Sequence, residues 1–128
     1  MLAVRATLGH VTFRCLIVDD SEGFLASAAR LLESQGVEIV GRATSSEVAL
    51  HLVDALQPEV VLVDVDLGDE DGIELTKDIT AQAPSTRVVL ISAHDWEELD
   101  ELVLESGAAG FLAKRDLGAA AIDTLIAG

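Results

Sequence analysis

Short apolar runs alternate with segments of helical spacing along almost the whole chain, and this alternation restricts the fold more than any other feature. The apolar runs predict five strands, at residues 13–18, 37–43, 60–63, 87–91 and 110–113. The intervening and final segments predict helices within 22–35, 44–58, 73–81, 96–104 and 117–126. Almost wholly apolar strands are expected to be buried on both faces, in a parallel sheet with right-handed crossovers. The sequence therefore predicts an α/β fold, a three-layer αβα sandwich around a five-stranded parallel sheet.

The repeating units occupy residues 12–128, which are predicted to form one domain, whereas residues 1–11 are expected to be an N-terminal extension. No segment approaches the roughly 20 apolar residues of a membrane-spanning helix. Polar residues also interrupt the N-terminal segment before it reaches the length of a signal peptide. The lone Cys15 cannot form an internal disulfide and is predicted to be a core residue. These features predict a cytoplasmic location without membrane association.

An excess of acidic residues limits the binding partners. Eight lysines and arginines stand against 23 aspartates and glutamates, which gives a formal net charge of -15. This charge repels phosphate backbones, so we expect no direct nucleic-acid binding by this domain. Cations are favourable partners, but a strongly acidic surface usually serves solubility, and a metal site must be argued from the positions of its ligands.

Four of the five predicted strands are followed by side chains suited to chemistry. Asp19 and Asp20 follow the first strand, Asp64 the third, Ser92 the fourth and Lys114 the fifth. Ligands of open parallel sheets bind beyond the carboxyl ends of the strands, where the strand order reverses. If the first and third strands are neighbours, three carboxylates converge there, and they need a cation to stay ionised together.

The ligand types at this edge favour Mg²⁺ and a phosphoryl group. Oxygen ligands with room for water suit Mg²⁺, which commonly uses one or two carboxylates together with a phosphate. The ammonium of Lys114 and the hydroxyl of Ser92 suit the oxygens of a phosphoryl group. The site therefore predicts an aspartyl phosphate, formed by nucleophilic attack of a carboxylate.

Four motifs stand at these strand ends, in the order "LIVDDSE", "VVLVDVDLGDEDGIEL", "VVLISAH" and "GAAGFLAK". Together they resemble the receiver domain of two-component response regulators, a CheY-like domain, over about residues 13–127. The resemblance implies a flavodoxin-like fold with the strand order 2-1-3-4-5. It also implies that the domain is a signalling switch and not an enzyme, apart from self-catalysed phosphotransfer and dephosphorylation.

The resemblance assigns roles to four aspartates. Asp64 would be the phosphoacceptor, Asp20 a direct Mg²⁺ ligand and Asp19 a ligand acting largely through water. Asp66 would give its backbone carbonyl to the metal. Each role is carried over from the position of the residue within its motif.

Ser92 would hydrogen-bond the phosphoryl group and Lys114 would pair with it, while Ser92 and Phe111 would form the switch. Three positions depart from the family pattern. Phe111 stands where many members have tyrosine, and Gly68 replaces a usual proline, which should loosen the loop after Asp64. Arg115 stands where many receivers have proline, which is closer to regulators with a LuxR-type output domain.

The implied partners are a sensor histidine kinase or a phosphotransfer protein. A phosphorylation-dependent homodimer and a DNA-binding effector domain beyond the given sequence are further family expectations. The neighbouring acids Asp69, Glu70 and Asp71 are expected to be the solvated part of the loop, and His94 a solvent-facing loop residue.

Two alternatives stay open at this point. "LVDVDLGD" also resembles the DxD motif of haloacid-dehalogenase-like phosphatases, with Asp64 as nucleophile and Asp66 as acid/base. Those enzymes usually carry the motif on their first strand, whereas here it follows the third. The other alternative is a degenerate receiver that binds partners without phosphorylation, which the intact acid trio and Lys114 disfavour.

Overall fold

Five parallel strands form the central layer of the computed structural model, which describes residues 12–94 and 100–127. The strands are β1 (Arg14–Val18), β2 (Glu38–Ala43), β3 (Val60–Asp64), β4 (Arg87–Ser92) and β5 (Gly110–Ala113). Their order is β2-β1-β3-β4-β5 and all neighbours are parallel. The fold class and the strand order 2-1-3-4-5 are therefore confirmed. The order reverses between β1 and β3, where the register pairs Val18 with Val63.

Helices cover both faces of the sheet, and the predicted three layers are confirmed. The helices are α1 (Glu22–Ser34), α2 (Ser46–Leu56), α3 (Gly72–Gln82), α4 (Asp100–Ser106) and α5 (Ala119–Ala127). Buried residues of α2, α3 and α4 join one core cluster, and those of α1 and α5 join the other. Successive residues of β3 alternate between the two clusters, because side chains of a strand point to opposite faces. This double burial explains why the strands are apolar throughout.

Side-chain caps begin three of the helices. The hydroxyls of Ser21 and Ser45 accept hydrogen bonds from backbone N–H groups in the first turns of α1 and α2. The carboxylate of Asp71 accepts one from Ile73 N (2.8 Å) at the start of α3. Such caps stabilise a helix by about 1 kcal/mol each and fix where it begins, next to the carboxyl end of the preceding strand.

The loop after β3 contains structure that the sequence did not predict. Asp66–Leu67 and Glu70–Asp71 pair as a short antiparallel ribbon, and Leu67 is buried in the core. Asp69, Glu70 and Asp71 are exposed as predicted, but the carboxylate of Glu70 also accepts a hydrogen bond from Ser46 N (2.8 Å). The ribbon is thus held on α2 as well as in the core.

The last two predicted helices differ from the observed ones. Lys114–Asp116 form a 3₁₀ turn, and α5 begins at Ala119, whose N–H donates to the side-chain oxygen of Gln35 (2.7 Å). This distant side chain, 84 residues away, sets the helix start two residues later than predicted. Of the predicted fourth helix, 96–104, residues 96–99 lie outside the described part of the chain, as does the predicted extension 1–11, and the observed α4 ends at Ser106. None of the helices in the described ranges has the length and apolar character needed to cross a bilayer.

Cys15 lies in the core, as predicted, with no exposed surface. Burial raises the pKa of its thiol to about 12. The thiol therefore stays protonated at neutral pH and is unreactive.

Candidate functional site

Three carboxylates meet at the point where the strand order reverses. Asp19 and Asp20 follow β1, and Asp64 is the last residue of the adjacent strand β3. One carboxylate oxygen of each lies within 4.8 Å of the others. Asp19 and Asp64 are buried and Asp20 is exposed. The structure thus brings together the acid trio that the sequence singled out.

Local turns hold one oxygen of each buried carboxylate. Asp19 Oδ1 accepts a hydrogen bond from Ser21 N (2.8 Å), and Asp64 Oδ1 accepts one from Asp66 N (2.9 Å). In both cases an aspartate at a strand end binds the N–H two residues later, a common use of aspartate in turns. The two Oδ2 atoms are left for other partners.

The ammonium of Lys114 lies between these two oxygens. Its Nζ is 2.7 Å from Asp19 Oδ2 and 2.9 Å from Asp64 Oδ2, and it stands 4.0 Å from the ring centroid of Phe24. Only 20% of the lysine side chain is exposed. One cation therefore links the ends of β1, β3 and β5.

The site raises the pKa values of both Asp64 and Lys114, for different reasons. Burial is the main cause that raises the pKa of Asp64 to about 6, and the hydrogen bond from Lys114 opposes that rise. Burial lowers the pKa of Lys114, but the hydrogen bonds to Asp19 and Asp64 outweigh it, so the pKa is raised. Lys114 is thus a permanent cation at neutral pH, and Asp64 is a more basic carboxylate than usual.

The acid trio fits a divalent cation. Among the described residues, the buried Asp19 Oδ2 has no partner in hydrogen-bond geometry, although the Lys114 ammonium is close by. The acids line a cleft of about 360 Å³, which has room for a hydrated ion. An all-oxygen set with space for water suits Mg²⁺ better than a softer metal.

Ser92 and Phe111 lie on the β4 and β5 side of the site. Ser92 ends β4, is buried, and its hydroxyl accepts a hydrogen bond from His94 N (3.1 Å). The residue before it, Ile91, pairs with Asp64, so the two strand ends are level. Phe111 is half-buried on β5 and packs against the core beneath α2, α3 and α4. His94 is exposed, as predicted, and lines the cleft.

Two glycines stand close to the acid trio. A Cβ on Gly72 would lie 1.9 Å from the backbone oxygen of Asp64, so only glycine fits where α3 approaches β3. Gly68 has a φ of +68°, a conformation that proline cannot adopt, and a Cβ there would lie 3.3 Å from Asp20 Oδ2. The loop after Asp64 therefore turns at Gly68 directly beside Asp20.

Phe24 was not predicted as a site residue. Its spacing along the first helix identified it only as an apolar core position. Its place in the first turn of α1, directly after the capping Ser21, was the signal that could have located it beside the acids.

A larger cleft of about 630 Å³ lies at the opposite end of the sheet. Three of its lining side chains donate to backbone carbonyls: Gln82 to Leu50 O (3.0 Å), the buried Thr86 hydroxyl to Pro58 O (2.9 Å) and Arg87 to Ile126 O (2.8 Å). Volume therefore does not identify the functional site; the convergence of buried charges does.

Comparisons with known proteins point to one family. A sequence model of the response regulator receiver domain matches residues 15–124. The transcriptional regulatory protein DegU of Brevibacillus brevis is 33% identical over 100 residues, which are 77% of this chain and 42% of that protein. A protein-glutamate methylesterase/protein-glutamine glutaminase of Halobacterium salinarum is 37% identical over 101 residues, 77% of this chain and 29% of that protein.

A solved structure gives the same result for the fold. The signal receiver domain of NarL from Mycobacterium tuberculosis has a TM-score of 0.79 and 33% identity. The match covers 91% of this chain and 98% of that domain. In contrast, this chain spans less than half of the length of the two curated relatives above.

Proposed function

Since this chain belongs to the response regulator receiver family, we propose that Asp64 accepts a phosphoryl group from a phosphohistidine. The donor would be a sensor histidine kinase or a phosphotransfer protein. Receiver domains are the phosphorylation-dependent switches of two-component systems, and the phosphatase alternative finds no support among the relatives. The observation that carries the proposal is the buried contact of Asp64 and Asp19 with Lys114.

Asp64 is suited to act as the nucleophile. The N–H of Asp66 fixes one of its oxygens, and its pKa of about 6 leaves it ionised at neutral pH yet more basic than an ordinary aspartate. In the transfer, a carboxylate oxygen forms a bond to phosphorus while the phosphorus–nitrogen bond of the donor histidine breaks. The ring nitrogen keeps the electron pair and can take up a proton.

Lys114 and Ser92 would hold the phosphoryl oxygens. The ammonium is already within 2.9 Å of the Asp64 carboxylate, so it needs little movement to meet negative charge that arrives there. Ser92 ends the strand next to Asp64 and supplies a hydroxyl donor at the same level. Movement of Ser92 towards the phosphoryl group, together with the half-buried Phe111, would then alter the surface at β5.

A bound Mg²⁺ would neutralise charge on the transferring phosphoryl group. Its ligands would be the carboxylates of Asp20 and Asp64, the backbone carbonyl of Asp66, and Asp19 largely through water. The approach of Asp19, Asp20 and Asp64 to within 4.8 Å of one another, beside a cleft with room for a hydrated ion, supports this assignment.

The domain bounds and the rest of the protein are also proposals. Residues 12–128 would be the receiver unit, and residues 1–11 an extension. DegU is a transcriptional regulator and the Halobacterium relative a methylesterase, and each extends well beyond the matched part. We favour a DNA-binding effector elsewhere in a cytoplasmic protein, because DegU is a transcriptional regulatory protein. The effector would have to be a separate domain, since a domain with a net charge of -15 would not bind DNA itself. The receiver would then be non-enzymatic beyond its own phosphorylation and dephosphorylation, and phosphorylation could drive homodimer formation.

The test is incubation with acetyl phosphate, with and without Mg²⁺, followed by intact-mass measurement. The wild-type chain should gain one phosphoryl group only with Mg²⁺, and Asp64→Asn should gain none. Asp69→Asn, a matched change in the exposed part of the same loop, should be labelled like the wild type. Labelling of Asp64→Asn at the wild-type level would refute the assignment. A folded wild-type protein that gains no phosphoryl group would favour the degenerate receiver.

A further inference from the structure

We propose that Phe24 is a positioning residue that holds the Lys114 ammonium against the two buried carboxylates. This inference rests on the proposed phosphoacceptor function. Its central observation is the distance of 4.0 Å between Lys114 Nζ and the centroid of the Phe24 ring. A cation at this distance is attracted by the negative face of the aromatic ring.

The position of the ring is tied to the acid site through two hydrogen bonds. Phe24 N donates to the hydroxyl of Ser21 (3.2 Å), and Ser21 N donates to Asp19 Oδ1 (2.8 Å). The residue that supplies the ring and the carboxylate that binds Lys114 therefore belong to one hydrogen-bonded turn. The half-buried ring also packs against the core between the sheet, α1 and α5, which limits its motion.

The Phe24 ring is a third group in contact with the Lys114 ammonium. The oxygens of Asp19 and Asp64 take up the cation at 2.7 and 2.9 Å, and the aromatic face provides a further contact. Lysine carries its charge on a flexible four-carbon stem, so the ion pairs alone leave it freedom to follow either carboxylate. A ring face restricts the ammonium without competing for the oxygens.

This restriction matters for phosphoryl transfer. A cation that is already in place stabilises developing negative charge without reorganisation. When a phosphoryl group arrives on Asp64, Phe24 would keep the Lys114 ammonium at the place where it already contacts that carboxylate. Loss of the aromatic face should therefore slow phosphorylation, even where the fold and the carboxylates are unchanged.

A series of fluorinated phenylalanines at position 24 tests this role, because fluorine weakens the negative ring face and changes the shape of the side chain little. With acetyl phosphate and saturating Mg²⁺, the phosphorylation rate constant should fall stepwise with each added fluorine, by about threefold to tenfold over the series. Phe24→Trp should retain the rate, and Phe24→Leu should match the most fluorinated ring. The same series at Phe13, which is buried beside the cleft at the other end of the sheet, is the matched control and should show no trend.

The outcomes separate the two proposals. Wild-type labelling with a rate that does not change over the Phe24 series would overturn the positioning role and leave the phosphoacceptor function intact. If the wild type is not labelled, the phosphoacceptor function fails, and NMR of the Lys114 ammonium decides on the contact itself. An upfield ring-current shift of the ammonium protons that Phe24→Leu removes would support the contact, and its absence would refute it.

Discussion

Both ends of the parallel sheet carry charged side chains beside a cleft, but they use them differently. At the carboxyl end, Asp19 and Asp64 are buried and share the ammonium of Lys114. At the amino end, Arg14 and Arg87 donate to the last carbonyls of α2 and α5. The amino-end cleft is the larger, at about 630 Å³ against about 360 Å³.

The difference shows what each kind of charge can do. A guanidinium on helix carbonyls satisfies groups that have no partner within the helix, so its effect is on stability. Two carboxylates and one ammonium in a buried cluster carry a net negative charge, so the cluster is stabilised when a further cation binds. Substitutions at the carboxyl end should therefore change ligand binding and phosphorylation, whereas substitutions at the amino end should change the free energy of unfolding. Four measurements test this contrast.

The largest effect is expected for Lys114→Met, which removes the charge and keeps most of the stem. The phosphorylation rate with acetyl phosphate and Mg²⁺ should fall about hundredfold, the usual loss when one pre-positioned donor to developing charge is removed. Lys77→Met is the matched control, since Lys77 is an exposed lysine paired with Glu74 on the surface of α3. It should leave the rate unchanged. Equal rates for Lys114→Met and wild type, with circular dichroism showing a native fold, would contradict the role of the buried cation.

Arg14→Met tests the amino end, where a substitution should change stability and leave phosphorylation unchanged. The guanidinium donates to two carbonyls of the α2 C-terminus at 2.7 and 2.9 Å, so its loss should lower the free energy of unfolding by about 1.5 kcal/mol. Labelling of Asp64 should be unaffected. Urea denaturation measures the first quantity, with the exposed Arg30→Met as control. A loss of labelling without a loss of stability would remove the distinction between the two ends.

Asp64→Asn should stabilise the metal-free protein. The pKa of Asp64 is raised from 3.8 to about 6 in the fold, mainly by burial, so the folded state favours the protonated carboxyl. Its stabilising contribution is complete below about pH 4 and is lost as pH rises through about 6. At pH 7 in a chelator, the asparagine variant should therefore be more stable by about 1 kcal/mol. Asp54→Asn, on the exposed side of α2 at the amino end, is the control. If both variants respond alike between pH 4 and 7, burial is not what distinguishes Asp64.

The sequence predicted the place of a residue correctly where a local pattern of apolar and polar residues determines that place. Asp64 and Lys114 could be assigned to strand ends because the strands are apolar and each helix begins soon after. Three features depended on the assembled fold. The start of α5 is set by Gln35, the residue that follows α1. The ribbon around Leu67 has strands of only two residues, which are too short to show an alternating pattern. The contact of Phe24 with Lys114 joins side chains 90 positions apart, and helical spacing alone cannot distinguish such a residue from a core one.

The smallest effect sharpens the contrast within the carboxyl end itself. Asp69 and Glu70 are adjacent exposed acids. Of the two, only Glu70 accepts a backbone hydrogen bond within the described part of the chain, from the N–H of Ser46 at the start of α2. A carboxylate at a helix N-terminus satisfies a free N–H and meets the positive end of the helix dipole. Glu70→Ala should thus cost about 0.5 kcal/mol in urea denaturation, and Asp69→Ala should cost nothing measurable. Equal losses would mean that the net acidity of the loop, rather than its attachment to α2, determines its contribution. The loop would then differ from the amino end, where the arginines act through defined carbonyls.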